Sequence, residues 1–133
     1  MADIAGILKR AKTIAVVGLS PKPGRASGMV TQYLINRGYK IIPVNPVYEE
    51  IFNLKTYPSL LDIPGDITVD IVDVFRKGQD TPPIAREAVQ IGASCLWLQL
   101  GILNEDSKKI ALEGGLAFIQ DRCIKVEHQH YLG

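Results

Sequence analysis

The stretch Val16-Val17-Gly18-Leu19-Ser20-Pro21-Lys22-Pro23-Gly24-Arg25-Ala26-Ser27-Gly28 closes an apolar run and opens a segment with helical spacing. Between the two lie glycine, serine, proline and two cations, the composition of a phosphate-binding loop. It fits neither of the two best-known glycine patterns. A Walker loop, G-x-x-x-x-G-K-[ST], is excluded because Gly18 is followed five residues later by Pro23, and Gly24 is followed by Arg25. The dinucleotide fingerprint G-x-G-x-x-G fails as well, since Ser20 stands where the second glycine would let the backbone approach a pyrophosphate. What remains still suits an anion. Gly18 permits a tight exit from a strand, Ser20 and Ser27 offer hydroxyls, and Lys22 and Arg25 add positive charge. A helix beginning at about Ser27 or Gly28 would turn its free amides toward the same space. The competing reading is a surface turn, with Ser27 as N-cap and the two cations solvated.

Outward from this loop the chain alternates. Apolar, β-rich runs occupy residues 13–17, 39–44, 70–75, 95–100 and 116–119. Helical spacing is expected over about Ser27 to Arg37, with Met29, Val30, Tyr33 and Leu34 as its apolar stripe and Gly38 as its stop. Further helices are expected over Pro82 to Ile91, from the N-cap Asn104 to Glu113, and near Asp3 to Ala11, with a shorter β-turn-helix piece at residues 55–61. Strand and helix in alternation imply parallel strands joined by right-handed crossovers and covered on both faces. The expected fold is therefore α/β: a Rossmann-like, doubly wound parallel sheet in a single three-layer domain spanning residues 1–133.

Composition agrees with such a fold and narrows the function. At 133 residues, 47% hydrophobic and 22% charged, the chain has the composition of one globular domain. Fifteen basic and fourteen acidic side chains leave a formal charge of +1, so no basic excess points to nucleic acid, and any anion must be held locally. No long apolar run suggests a membrane span, and no signal peptide is recognised, from which a cytoplasmic location is expected. Cys95, inside Ser94-Cys95-Leu96-Trp97-Leu98, reads as a buried small hydrophobe. Cys123 with His128 and His130 makes an incomplete set for a metal, so no metal site is expected.

In doubly wound sheets ligands bind beyond the carboxyl ends of the strands, where strand order reverses. That rule singles out Gly18 to Ser27, Asn45 and Pro46, Phe75 and Arg76, and Gln99 to Gly101. A NAD site would carry an acid near the end of the second strand, where this chain has Pro43-Val44-Asn45-Pro46. Gln99 is a polar amide after a run of apolar residues, and if buried it needs a partner that a ligand would supply.

Taken together, Val17-Gly18-Leu19-Ser20-Pro21-Lys22-Pro23, Ile42-Pro43-Val44-Asn45-Pro46, Asp73-Val74-Phe75-Arg76, Leu96-Trp97-Leu98-Gln99-Leu100-Gly101 and Asp121-Arg122-Cys123-Ile124 resemble the small stand-alone CoA-binding proteins. These are similar to the N-terminal domain of succinyl-CoA synthetase α subunits. The resemblance implies coenzyme A or an acyl-CoA as ligand. It places Gly18, Leu19 and Ser20 against that ligand, with Lys22, Arg25 and Ser27 near its phosphates. Asn45 and Pro46 would line the second strand end. Val74, Phe75 and Arg76 would form a third wall, and Gln99, Leu100 and Gly101 would close the site. Asp121 and Arg122 are expected to tie the tail to the sheet.

The synthetase's phosphorylated histidine belongs to a domain with no counterpart here, and His128 and His130 lack a nucleophile or paired acid at supportive spacing. The expected function is thus a non-catalytic CoA-binding or regulatory module, with a partner enzyme as a possible companion. The alternatives are an NADP-binding oxidoreductase-type domain, in which Arg25 or Lys22 meets the 2′-phosphate, and an interaction subunit of an acyl-CoA-metabolising enzyme. Oligomeric state is not legible in the sequence.

Overall fold

The computed structural model describes residues 2–133. A short helix α1 (Ile4–Arg10), capped by Asp3 through the Gly6 amide at 3.0 Å, leads into strand β1 (Thr13–Val17). Helix α2 (Ala26–Asn36) follows, then β2 (Lys40–Val44), a small antiparallel hairpin of β3 (Glu50–Ile51) and β4 (Leu54–Lys55), and β5 (Ile71–Val74). Helix α3 (Thr81–Gln90), β6 (Cys95–Leu98), α4 (Glu105–Glu113), β7 (Ala117–Ile119) and α5 (Ile124–Tyr131) complete the chain.

The main sheet is parallel throughout, in the order β2-β1-β5-β6-β7. Outside β2, Tyr57 makes a single parallel bridge to Val44, with its amide donating to Pro43 O at 3.1 Å and its carbonyl accepting from Asn45 N at 2.9 Å. It is a single-residue contact at the edge where a dinucleotide-binding sheet carries a further strand. Pro43, which has no N–H to give, is tolerated because its peptide faces this almost empty edge rather than β1.

Strand alternation sends side chains into two cores, as a sheet covered on both faces requires. Ala15, Val17, Val72, Val74, Leu96 and Leu98 pack against Ala85 and Ala88 of α3 and Ala111 of α4. Ile14, Val16, Ile71, Cys95, Trp97 and Ile119 pack against Leu8 of α1, Val30 and Leu34 of α2, and Ile124 of α5. The expected Rossmann-like three-layer arrangement is observed, and Cys95 is buried as anticipated. Among the described residues no helix is long and apolar enough to cross a membrane.

Three local expectations differ from the structure. Strand β6 ends at Leu98 because Gln99 already turns, its carbonyl accepting from Ile102 N at 2.9 Å. The piece at residues 55–61 is the end of a hairpin, the Tyr57 bridge and a 3-10 turn at Leu60–Asp62. The C-terminal residues, for which no element was expected, form helix α5. Its buried face is Ile124, Glu127 and His128, a stripe that is mostly polar and so invisible to an apolar-periodicity search. Burial is tolerated because Glu127 accepts from Arg122 at 2.7 Å, and His128 Nδ1 lies 2.7 Å from the Tyr33 hydroxyl. Burial, and then the charge of Arg37, hold the His128 pKa below its ordinary value.

Candidate functional site: the strand-end crevice

The carboxyl ends of β1, β2, β5 and β6 meet at one edge of the sheet, and strand order reverses between β1 and β5. Gly18 leaves β1 at φ +86°. A Cβ there would stand 2.8 Å from the Phe75 carbonyl oxygen and 3.0 Å from Arg76 Cδ. The bare glycine therefore lets the exits of β1 and β5 run side by side. Gly18→Ala is expected to destabilise the protein by about 1–2 kcal/mol from backbone conformation alone, and by more once Phe75 is displaced. Urea unfolding checks this, and a variant as stable as the parent would refute the role.

Short polar bonds then set the loop. Asn45 Nδ2 donates to Leu19 O at 3.0 Å while Oδ1 accepts from Val47 N at 2.9 Å, so one amide ties the exits of β1 and β2 together. Ser27 Oγ accepts from Ser20 N at 3.0 Å, and Ser20 Oγ accepts from Lys22 N at 3.2 Å. Ser27 thus braces the loop from inside α2 instead of capping it. The N-cap is Arg25, which makes no capping hydrogen bond, and no acid lies in the first turn. The positive end of this helix is left without a side-chain acceptor or carboxylate.

Lys22 and Arg25 are exposed and lie on the outer side of the loop. With Met29, Tyr33, Phe52 and Lys125 they line a groove of about 510 Å³ whose walls carry no acid. Phe52 occupies the hairpin tip at φ +55°, with Asn53 at +61°, and a Cβ on Gly28 would lie 3.3 Å from its ring. The ring therefore rests on the first turn of α2. Pro46 is exposed and belongs to a separate hollow beside the hairpin, with Tyr48, Glu49 and Lys55.

On the β5 side, Phe75 is half-buried and its amide donates to Val17 O at 2.8 Å. Arg76 pairs with Asp80 at 3.7 Å, but both side chains are more than 40% exposed, so the pair is weak and the guanidinium is available to an anion. Val74 is fully buried and packs in the α3–α4 core. On the β6 side, Leu100 and Gly101 form an exposed turn, and Gly101 N donates to Asp121 Oδ1 at 2.7 Å. Trp97 Nε1 donates to Arg122 O at 2.8 Å, so the segment at residues 121–122 does bind the C-terminal part to the sheet.

Gln99 is buried, and its partner is protein: Nε2 donates to Asp73 Oδ1 at 2.5 Å. Asp73 is an acid in the middle of an apolar strand, fully buried, and among the described residues Oδ2 has no hydrogen-bond partner. Burial raises its pKa from 3.8 to about 7, against the lowering effect of the Gln99 hydrogen bond. Burial, and then the neighbouring Asp73, push the Cys95 thiol up to about 12, which makes it unreactive at neutral pH.

A sequence profile for the CoA-binding domain matches residues 12–129, nearly the whole of this β-α framework. The chain belongs to the CoA-binding domain family. It is 45% identical over 127 residues to the Bacillus subtilis protein YneT, covering 96% of this chain and 93% of that one. It is 36% identical over 127 residues to the ADP-forming acetate–CoA ligase of Methanocaldococcus jannaschii, covering 90% of this chain but 18% of the ligase. A solved structure from Pyrococcus horikoshii OT3 superposes with a TM-score of 0.94 at 44% identity, covering 98% of this chain and 91% of that one. The family resemblance drawn from five strand-end segments therefore holds.

The structure brings Gly18, Ser20, Ser27, Asn45, Phe75 and Arg76 around one edge, bounded by Gln99 and the Leu100-Gly101 turn, whereas Leu19 is sealed in the core with Val30 and Leu34 and its carbonyl is taken by Asn45. Sequence reasoning passed over Asp73 and Phe52. The signal for Asp73 was a lone acid inside Ile71-Val72-Asp73-Val74, and for Phe52 the Phe-Asn pair between two short β runs.

Proposed function

We propose that this protein binds coenzyme A or an acyl-CoA across the strand ends, as a non-catalytic, cytoplasmic binding or regulatory module that acts with a partner enzyme. The observation that carries the reading is the first turn of α2, which has no capping side chain and no acid, beside Lys22 and Arg25 and within the family's matched region. A diphosphate seated there meets free amides, the helix dipole and two cations. Arg76, on the neighbouring exit, can meet a further phosphate. Asn45 supports CoA over NAD, because both ends of its amide are engaged and it cannot replace the carboxylate that holds a ribose diol.

Thermal melting with CoA, dephospho-CoA and NADP tests the reading side by side. CoA at about a hundred times its dissociation constant should stabilise the protein by about 2.7 kcal/mol. No shift with CoA or acyl-CoAs would sink the proposal, and a larger shift with NADP would favour the oxidoreductase-type alternative. The double change Lys22→Gln and Arg25→Gln should weaken CoA about 10-fold or more, as expected for hydrogen bonds to charged groups. Unchanged affinity would show that both cations are solvated.

A further inference from the structure

Asp73 lies in β5, in register with Val16 of β1 and Trp97 of β6. A fully buried carboxyl with one unpartnered oxygen is costly, and natural cores retain few of them. Its one protein partner is Gln99, whose backbone is pinned: its N–H donates to Val74 O at 3.2 Å and its carbonyl accepts from Ile102 N at 2.9 Å. The side-chain amide is not pinned in the same way. Nε2 points to Asp73, while Oε1 takes no donor among the described residues and is not one of the sealed unpartnered atoms. Gln99 follows β6 directly at its carboxyl end, one residue before the exposed Leu100-Gly101 turn.

We infer that Asp73 is a positioning residue which, through Gln99, selects the atom of that amide that faces the strand-end site. It thereby selects whether the ligand group taken there is an N–H or a carbonyl. The inference rests on the CoA reading above. An ionised carboxylate only accepts, so it holds Nε2 inward and Oε1 outward, ready for an N–H such as an amide of the pantetheine arm. A protonated Asp73 that carries its proton on Oδ1, the oxygen facing Gln99, donates to Oε1 of the reversed amide and turns the NH₂ group toward the ligand. A core site whose proton is shared between folded stability and ligand orientation also fits the raised pKa of this group.

The groups on this face are mostly apolar. Val16, Trp97, Leu8, Val30, Leu34 and Ile124 are apolar, and Thr31 is a hydroxyl. Cys95 stays a neutral thiol at its pKa of about 12. On α5, Glu127 is paired with Arg122, and His128 is hydrogen-bonded to Tyr33 with its pKa held low. With a pantetheine N–H as the group taken at Gln99, ionisation of Asp73 should tighten CoA binding, and bound CoA should by reciprocity make Asp73 more acidic.

Calorimetric titration of CoA into the parent and Asp73→Asn at about pH 6 and about pH 8 tests this. The 3′-phosphate of CoA ionises in the same range, so the difference between the two proteins is the readout. The parent should tighten by roughly 5-fold more than the variant across that interval. Equal pH profiles would overturn the inference. In the ligand-free parent, the Gln99 side-chain amide should shift in NMR spectra with the midpoint of the Asp73 carboxyl carbon. A Gln99 amide indifferent to that midpoint would overturn it too, whether or not the variant folds. If the parent binds no CoA at any pH, the binding reading fails, while the amide titration still decides the coupling between Asp73 and Gln99.

Discussion

Trp97→Ala is expected to lower the unfolding free energy by about 3–5 kcal/mol, the largest single-residue loss in the protein. Trp97 is fully buried in the middle of β6 and is the largest sealed side chain of the molecule. Its ring fills the layer between the sheet and helices α1, α2 and α5, alongside Leu8, Leu34 and Ile124. Its Nε1 also donates to Arg122 O at 2.8 Å, which fixes the chain just before α5. Removal therefore opens a cavity and frees a helix at once. Trp97→Phe keeps most of the volume and should lose about 1–3 kcal/mol, from the orphaned Arg122 carbonyl and the smaller ring. Urea unfolding followed by circular dichroism is the measurement, since both variants lose the chain's only tryptophan. A loss below about 1 kcal/mol for Trp97→Ala would contradict this account of the core.

Stability should also fall as pH rises through the range set by Asp73. Its folded pKa is raised from 3.8 to about 7. Between those values the folded protein keeps a proton that the unfolded chain has released, so unfolding becomes easier as pH increases. The effect begins near the lower value, grows until about 7, and then levels off. The shift corresponds to roughly 4 kcal/mol. Other carboxylates titrate at the acid end of the interval, so the comparison that isolates Asp73 is again with Asp73→Asn. Relative to the amide, the parent should already have lost part of this stability at about pH 5, and the gap in favour of Asp73→Asn should widen to about pH 7 and stay constant to about pH 8. Denaturation curves at matched pH values provide the check. A parent that stays as stable as Asp73→Asn at pH 8 would mean that the carboxylate is better solvated or better partnered than its surroundings indicate.

These expectations concern residues of very different legibility. The five main strands can be read from their apolar runs, and helices α2, α3 and α4 from spacing, the N-cap Asn104 and the terminal glycines. The loop at residues 18–28 could be recognised as an anion loop because its glycine, serines and cations act locally, next to the helix they precede. Helix α5 could not be read in this way. Its buried face depends on Arg122 and Tyr33, which neutralise Glu127 and satisfy His128 only when α2 and the β7 exit are in place. Phe52 behaves similarly: a large residue at φ +55° makes sense only where its ring finds the bare backbone of Gly28.

The candidate site divides along the same line. Local chemistry specifies Gly18 at the exit of β1, hydroxyls at Ser20 and Ser27, and positive charge at Lys22 and Arg25, because each depends only on residue type and near neighbours. Packing decides the partners. It makes Ser27 a brace instead of a cap, commits Asn45 to two backbone groups, and seats Val74 in the far core. It also gives Gln99 a buried acid where a ligand was anticipated. A strand carries no record of which strand will lie beside it, so a hydrogen bond between β5 and β6 exists only once the sheet has closed over both.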